Sequence, residues 1–598
     1  MKLKLNNRLT AALGLISLLL AFTSVSSFAA SETQAGGLTP EATQKAEKLI
    51  ATHCTICHLM PDPSELSREY WPFALHYMGY YVGMKGDEFE DMRMEDFPPM
   101  FEPVQDYTKR YFLFDSKGHN RDLFPFKSFM PPERWMTPED FVLIRQYYET
   151  NARPWTDMLI KAPRPPVSTD FKPVVPNLEL APNGLTIATR VDAKKNRIYV
   201  GTSVLDDFVA GGGRMEGVEE RDHLVAFDLE TGKPVGDAVV ESDIVHLTLT
   251  DKGVRALEHG RFPMGPVGIG NISDYEFEGG KISKHMLVGK KHRLVKHDDT
   301  VDLDGDGLLD IVSVAFGDGI YADANSELNV YWQTPKFKKL AASAPPEIPE
   351  GLLAGALEEL VLSREGGLIG VSIGDMNNDG RPDVVALVAQ GREDLLVFVN
   401  NGDRTFTRHL IDERRPAFGG NVVEVADFNG DGKLDIAMLN GDNVGGNSVD
   451  DTVPAPRPYN GVYIYENLGD LKFNAHNVYP FHGATRVAVH DFDNDGDPDI
   501  AAVALYVQWN EDLPQGFVYL KNEGNFQFEA QSLPKEFFAP YINVEAADVN
   551  GDNKTDIVLG LGNYPGMGMV PTDWLNTHKA MQGRKPEIPS VLYLINQN

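Results

Sequence analysis

The sequence predicts a multidomain chain, a small all-α segment followed by a long all-β repeat region. Three observations predict it. The only two cysteines sit in Thr52-His53-Cys54-Thr55-Ile56-Cys57-His58, between two amphipathic helix patterns. A proline-rich stretch over residues 161–176 then breaks the chain. Beyond it, one acidic ten-residue pattern returns five times among short apolar runs bounded by Gly, Asp and Asn. With 42% hydrophobic and 24% charged residues, a chain of 598 residues can bury a large core in two or more domains.

Residues 1–29 read as a secretory signal. Lys2, Lys4 and Arg8 precede an apolar run from Leu9 to Phe22, and Ser27 and Ala29 supply the small side chains of a cleavage site. The run is shorter than the ~20 residues a membrane span needs, and no later segment reaches that length. The mature protein is therefore expected outside the cytoplasm, in the periplasm or at the cell surface of a bacterium. Losing three basic residues takes the net charge from −32 to −35. A field of that sign repels nucleic acid and anionic membranes and suits a basic partner.

An exported chain with two cysteines does not depend on disulfides. A Cys54–Cys57 bridge would close a very small ring and stabilise little. A redox pair would need a strand before it and a helix beginning at it, and a zinc site would need a second ligand pair. Cys-x-x-Cys-His remains, the attachment signature of c-type haem, with Cys54 and Cys57 as thioether anchors and His58 as proximal iron ligand. Helix patterns flank it: one from Thr39 into the motif, and one after Thr137, with Phe141, Ile144, Tyr147 and Tyr148 on a single face. Over residues 39–160 this arrangement resembles the class I cytochromes c. That resemblance implies one covalent haem and a distal ligand, for which Met130, in Phe129-Met130-Pro131-Pro132, is the first candidate. Met78 is the alternative, and His76 or His119 would serve a histidine-ligated site.

The repeats begin at Asp302, Asp375, Asp427, Asp491 and Asp548, spaced 73, 52, 64 and 57 residues apart. Positions 1, 3, 5 and 9 of each carry oxygen side chains: Asp302, Asp304, Asp306, Asp310; Asp375, Asn377, Asp379, Asp383; Asp427, Asn429, Asp431, Asp435; Asp491, Asp493, Asp495, Asp499; and Asp548, Asn550, Asp552, Asp556. Oxygens at that spacing, with a backbone carbonyl at position 7 and a turn residue at position 6, suit calcium. An EF-hand would need a glutamate at position 12 and flanking helices, and has neither here. The loops hold 17 aspartates at these positions, so about five calcium ions would offset much of the acidity. The pattern resembles the FG-GAP or VCBS repeat family, similar to the integrin α head. It implies a calcium-stabilised β-propeller over residues 177–598. Two upstream stretches, Thr186–Lys233 and Asp243–His259, supply blades without the acidic loop, giving seven in all. The C-terminal run Val591-Leu-Tyr-Leu-Ile-Asn lacks a fourth strand, which Asn177-Leu-Glu-Leu-Ala is expected to provide.

Insertions between second and third strands carry Asp442, Asn443, Asp450, Tyr459, Trp509, Asn510, Tyr564, Trp574 and His578, suited to a carbohydrate or other polar ligand, to a protein partner, or to loop packing. Ala226-Phe-Asp-Leu-Glu-Thr-Gly-Lys resembles a repeat of quinone-dependent propeller dehydrogenases, but it occurs once and an ordinary hairpin explains it. The function expected is one-electron transfer at the haem, with the propeller as docking or substrate-binding platform. Two alternatives stay open: a propeller that is itself an oxidoreductase site feeding the haem, and a binding or adhesion module with a sensory or structural haem.

Overall fold

The computed structural model describes residues 37–56, 58–84, 131, 133–159, 164–180, 185–203, 222–240, 242–259, 269–278, 281–292, 294–317, 326–337, 357–389, 392–441, 457–507, 515–562 and 589–598. The signal segment, Cys57, Met130, His119 and most of the insertion residues lie outside them.

Seven four-stranded antiparallel sheets account for the β region. Blade one is β2–β5 (Leu185–Asp192, Arg197–Ser203, Asp222–Asp228, Pro234–Val240), and blade two is β6–β9 (Ile244–Leu249, Gly253–Glu258, Ile269–Glu278, Lys281–His292). Blade three is β10–β13 (Leu294–Asp298, Ile311–Ala315, Glu327–Gln333, Leu357–Ser363), and blade four is β14–β17 (Leu368–Gly374, Asp383–Val388, Glu393–Asn400, Phe406–Arg414). Blade five is β18–β21 (Gly420–Ala426, Asp435–Asn440, Gly461–Asn467, Phe473–Pro480), and blade six is β22–β25 (Ala484–His490, Asp499–Ala504, Phe517–Asn522, Phe528–Gln531). Blade seven joins β26–β28 (Tyr541–Ala547, Asp556–Leu561, Val591–Asn596) to β1 (Phe171–Val174). The architecture is a seven-bladed propeller.

Position within a blade explains each strand's sequence. The second strands of blades two to seven, such as Asp383-Val-Val-Ala-Leu-Val, are buried throughout because sheet faces on both sides cover them. Fourth strands at the rim mix exposed and half-buried positions, as in Phe406–Arg414. Every innermost strand is bulged near its start, for example between Leu368 and Gly370 and between Ile244 and His246. A bulge bends a strand and sharpens its twist, which suits strands that must pack around a narrow axis.

The strand that completes blade seven is not the expected Asn177-Leu-Glu-Leu-Ala. Phe171–Val174 pairs antiparallel with Val591–Asn596, Phe171 opposite Asn596 and Val174 opposite Tyr593. Leu178 and Leu180 instead pack on the apolar cluster between blades one and seven. The approach to β1 is also fixed: Ser168 N donates to Ser532 O and Ser532 N to Pro166 O, both at 2.8 Å, along blade six. Ring closure is reinforced inside by Glu545 on β26, which accepts Val191 N (2.8 Å) and Thr189 Oγ1 (2.7 Å) from β2.

The N-terminal segment contains three described α-helices, α1 (Pro40–His53), α2 (Trp71–Tyr81) and α3 (Pro138–Asn151). Thr39 and Thr137 cap α1 and α3 as the sequence predicts, each side chain accepting a backbone N–H at 3.2 Å. Phe141, Ile144, Tyr147 and Tyr148 are buried against Ile50, Trp71 and Leu75. Trp71 stacks on Tyr148 with ring centroids 3.9 Å apart and donates through Nε1 to Pro63 O (3.0 Å). Among the described residues no helix is long and apolar enough to cross a membrane.

Candidate functional site

Alternating strand directions send connections to opposite faces of the wheel. The acidic loops join first to second strands and occupy one face. The described ends of the second-to-third and blade-to-blade connections lie on the other, and there the helical segment docks. Tyr459, between β19 and β20, places its hydroxyl 3.0 Å from Glu65 O and 2.7 Å from Ala417 O. Arg415, in the connection between β17 and β18, lies 3.4 Å from Asp62 and 3.5 Å from Glu65. Ala417 is buried in the same apolar cluster as Leu66 and Trp71. Of the insertion residues singled out in the sequence, Tyr459 is described, and it serves this packing.

His58 stands two residues beyond the turn at Cys54–Ile56 that follows α1. Its Nδ1 is 2.7 Å from Leu59 O, a carbonyl that can only accept, so Nδ1 carries the proton and Nε2 keeps its lone pair. Burial lowers the pKa of the ring, which favours that neutral form. Cys54 is half-buried against the helical core and close to Tyr148. Met78 lies half-buried on α2, and for His76 the backbone position on α2 is described. In that tautomer the imidazole offers Nε2 as a donor atom.

The five acidic loops share one hydrogen-bond scheme. The position 1 carboxylate accepts the position 6 N–H: Asp302 from Gly307 (2.7 Å), Asp375 from Gly380 (2.7 Å), Asp427 from Gly432 (2.8 Å), Asp491 from Gly496 (3.0 Å) and Asp548 from Asn553 (2.9 Å). Position 3 accepts from position 5, as Asp304 from Asp306 N (3.1 Å) and Asn377 from Asp379 N (2.9 Å). Position 5 accepts from position 7, as Asp306 from Leu308 N (2.9 Å) and Asp552 from Lys554 N (2.9 Å). The backbone is left-handed at position 6 as expected, with φ of +86° at Gly307 and +64° at Asn553. Position 4 is left-handed too, at Gly305, Asn378, Gly430, Asn494 and Gly551. That second requirement was visible in the sequence as Gly or Asn at every position 4.

These bonds turn carboxylate oxygens inward. In the loops at Asp302 and Asp491, oxygens from positions 1, 3 and 9 all lie within 4.8 Å of one another. Such crowding of like charge suits a hard cation. Internal cations neutralise single carboxylates: Arg404 on Asp304 (2.5 Å), Arg381 on Asp379 (2.5 Å), Lys521 on Asp493 (2.7 Å) and Lys433 on Asp431.

Position 9 does more than offer a ligand. Asp310, Asp383, Asp435, Asp499 and Asp556 are all buried. One oxygen of each accepts the position 2 N–H of its own loop, and the other accepts the N–H of the last residue of the blade's third strand. For Asp383 these are Met376 N (2.9 Å) and Asn400 N (2.8 Å). Burial pushes the Asp310, Asp435 and Asp499 carboxyls up to about 6 and raises Asp383 and Asp556.

A third polar constellation lines the axis, and sequence reading did not find it. His297 Nε2 is 3.2 Å from Thr248 Oγ1, whose own proton goes to Asp299 (3.0 Å), itself held by Arg255 (2.7 Å). His297 Nε2 must then donate, leaving Nδ1 as acceptor for His246 Nδ1 at 3.2 Å. The Ala226–Lys233 stretch is a hairpin turn in which Asp228 accepts Thr231 N at 2.8 Å.

A family model described as FG-GAP-like repeat matches residues 302–386 and 375–438, spanning the loops of blades three to five. The chain thus carries FG-GAP-like repeats within a seven-bladed propeller. Among solved structures, the crystal structure of the N-terminal domain of Nup159 is similar to 73% of this chain and 98% of its own, at 10% identity and a TM-score of 0.36.

Proposed function

We propose that the protein is an exported c-type haemoprotein that transfers single electrons, with a calcium-stabilised propeller as the platform that docks a partner or substrate. The observation that carries the reading is His58. Its Nδ1–H is committed to Leu59 O, so Nε2 is presented as a ligand one residue after the Cys-x-x-Cys pair. Haem, held by Cys54, Cys57 and His58, would supply a one-electron couple whose potential the distal ligand sets. Met130 is the first candidate for that ligand and Met78 the alternative. The docked helical segment shares a face with the ends of the long insertions, so a molecule held there would approach the haem from the propeller side.

The acidic loops would hold calcium through positions 1, 3, 5 and 9 and the position 7 carbonyl. Their inward carboxylates and twofold left-handed turns support that reading. The negative chain suits a basic redox partner, while a carbohydrate or other polar ligand on the insertion face fits the same platform.

Absorption spectra of oxidised and reduced protein test the central claim. A haem held by two thioether bonds stays with the polypeptide through acid-acetone extraction, and Cys54→Ser should weaken that retention. The weak long-wavelength band of sulfur–iron ligation should vanish in Met130→Ala. Survival there and loss in Met78→Ala would move the ligand to α2, and protein purified without haem from a cytochrome-competent host would sink the proposal.

A further inference from the structure

The third strands of blades four to seven all end on a buried asparagine, Asn400, Asn467, Asn522 or Asn596. Each reaches backward to the neighbouring blade. Asn400 Nδ2 donates to Leu303 O (2.7 Å), Asn467 to Met376 O (3.0 Å), Asn522 to Phe428 O (2.9 Å) and Asn596 to Phe492 O (2.6 Å). Every acceptor is position 2 of the preceding blade's acidic loop. A second bond from each Nδ2 returns to its own blade, as Asn400 to Pro382 O (3.1 Å) and Asn467 to Leu434 O (3.0 Å).

The main-chain N–H of each asparagine is meanwhile held by the position 9 aspartate of its own loop. These are Asn400 on Asp383 (2.8 Å), Asn467 on Asp435 (2.7 Å), Asn522 on Asp499 (2.7 Å) and Asn596 on Asp556 (2.8 Å). The other oxygen of each aspartate holds position 2 of that loop, as Asp435 holds Phe428 N (3.1 Å). Loop, asparagine, aspartate and next loop therefore form one continuous series from Leu303 to Val549. The series stops where the loops stop: blade three ends its third strand on Gln333, and blades one and two have no acidic loop.

We propose that these four asparagines couple the five loops, so that a divalent cation entering one loop raises the affinity of its neighbours. The inference rests on the calcium reading above. A cation draws the carboxylates of a loop together and fixes its position 2 peptide. That peptide fixes the next blade's asparagine, which pre-orients the position 9 aspartate of the following loop. The second ion then meets a loop already partly ordered, and the coupling is positive. The asparagines are positioning residues, since none of them occupies a ligand position.

Calcium alone is titrated into chelator-treated full-length protein by calorimetry, and bound calcium is counted by atomic emission. About five ions should bind with a Hill coefficient above one. Asn467→Ala separates the loops of blades three and four from those of blades five to seven. It should keep the same stoichiometry, lower the Hill coefficient and raise the half-saturating concentration roughly 5-fold. Asn596→Ala detaches only the last loop and should give a smaller fall; it carries the test if Asn467→Ala does not fold. A purely structural role would lower thermal stability and leave the Hill coefficient alone. Five independent sites in the unaltered protein, or an unchanged coefficient in both variants, overturn the coupling. If no calcium binds at millimolar concentration, the calcium reading itself falls.

Discussion

At the scale of single residues, burial near the axis sets an acid limit on the fold. Burial pushes His297 down to about 4, with Arg255 and Arg190 adding to the shift and Asp299 and Asp298 opposing it. Its partner His246 is lowered as well, again first by burial. An unfolded histidine takes its proton near pH 6.5. Between that value and about 4 the unfolded chain binds a proton that the folded chain refuses. The contribution of His297 is therefore whole above pH 6.5 and is lost as pH falls, by about 1.4 kcal/mol per unit. Urea unfolding of the full chain at about pH 7.5 and about pH 5 should show the loss. His297→Gln cannot take up a proton, and its stability difference between the two conditions should be smaller by about 2 kcal/mol; an equal difference would place the acid sensitivity elsewhere. No sequence pattern announced this pair, because His246 and His297 stand 51 residues apart and meet only when blades two and three pack. The asparagines at the third-strand ends were easier to see. They recur before the turn in Phe-Val-Asn-Asn-Gly, Tyr-Glu-Asn-Leu-Gly and Leu-Lys-Asn-Glu-Gly, where nothing local separates them from ordinary turn residues.

Among elements, the acidic loops were legible because a metal-binding loop is local: every ligand position lies within nine residues. The capped helices α1 and α3 were legible for the same reason, since Thr39 and Thr137 act on the first turn that follows them. Contacts between elements were not. The docking of the helical segment joins Glu65 to Tyr459 across 394 residues. The Tyr459 ring is partly buried against the helical core and its single proton is shared between two carbonyls, whereas Arg415 is half-exposed and its ion pairs are screened. Tyr459→Phe should therefore loosen docking more than Arg415→Ala, by about 1 kcal/mol against a few tenths. Hydrogen exchange over residues 58–70 reads this directly: protection should fall roughly 5-fold in the tyrosine variant and little in the arginine one. Equal protection in both variants and the unaltered protein would mean that apolar packing around Ala417 and Leu66 alone holds the segment.

For the whole molecule, closure decides whether the wheel is stable, and there the local reading misassigned a strand. Phe171-Lys-Pro-Val carries a proline and sits in a proline-rich run, so it reads as a spacer; Asn177-Leu-Glu-Leu-Ala alternates and reads as a strand. Pro173 is acceptable in β1 because β1 is the outermost strand of blade seven, with one neighbour, β28, and an N–H side that need not pair. The alternating leucines satisfy the gap between blades one and seven instead. Two truncations separate these assignments. A chain beginning at residue 164 keeps the Val167–Ser532 bridge and the whole of β1. It should melt cooperatively as a monomer. A chain beginning at residue 177 loses β1 and leaves the backbone of Val591–Asn596 unpaired along the outer edge of the last blade, a template for pairing with a second chain. It should show a lower melting temperature and concentration-dependent association in light scattering. Calcium would not rescue it, because the acidic loop of blade seven joins β26 to β27 and does not touch the missing strand. If both truncations behave alike, β1 is dispensable, and ring closure belongs to the inner contact of Glu545 with Thr189 and Val191.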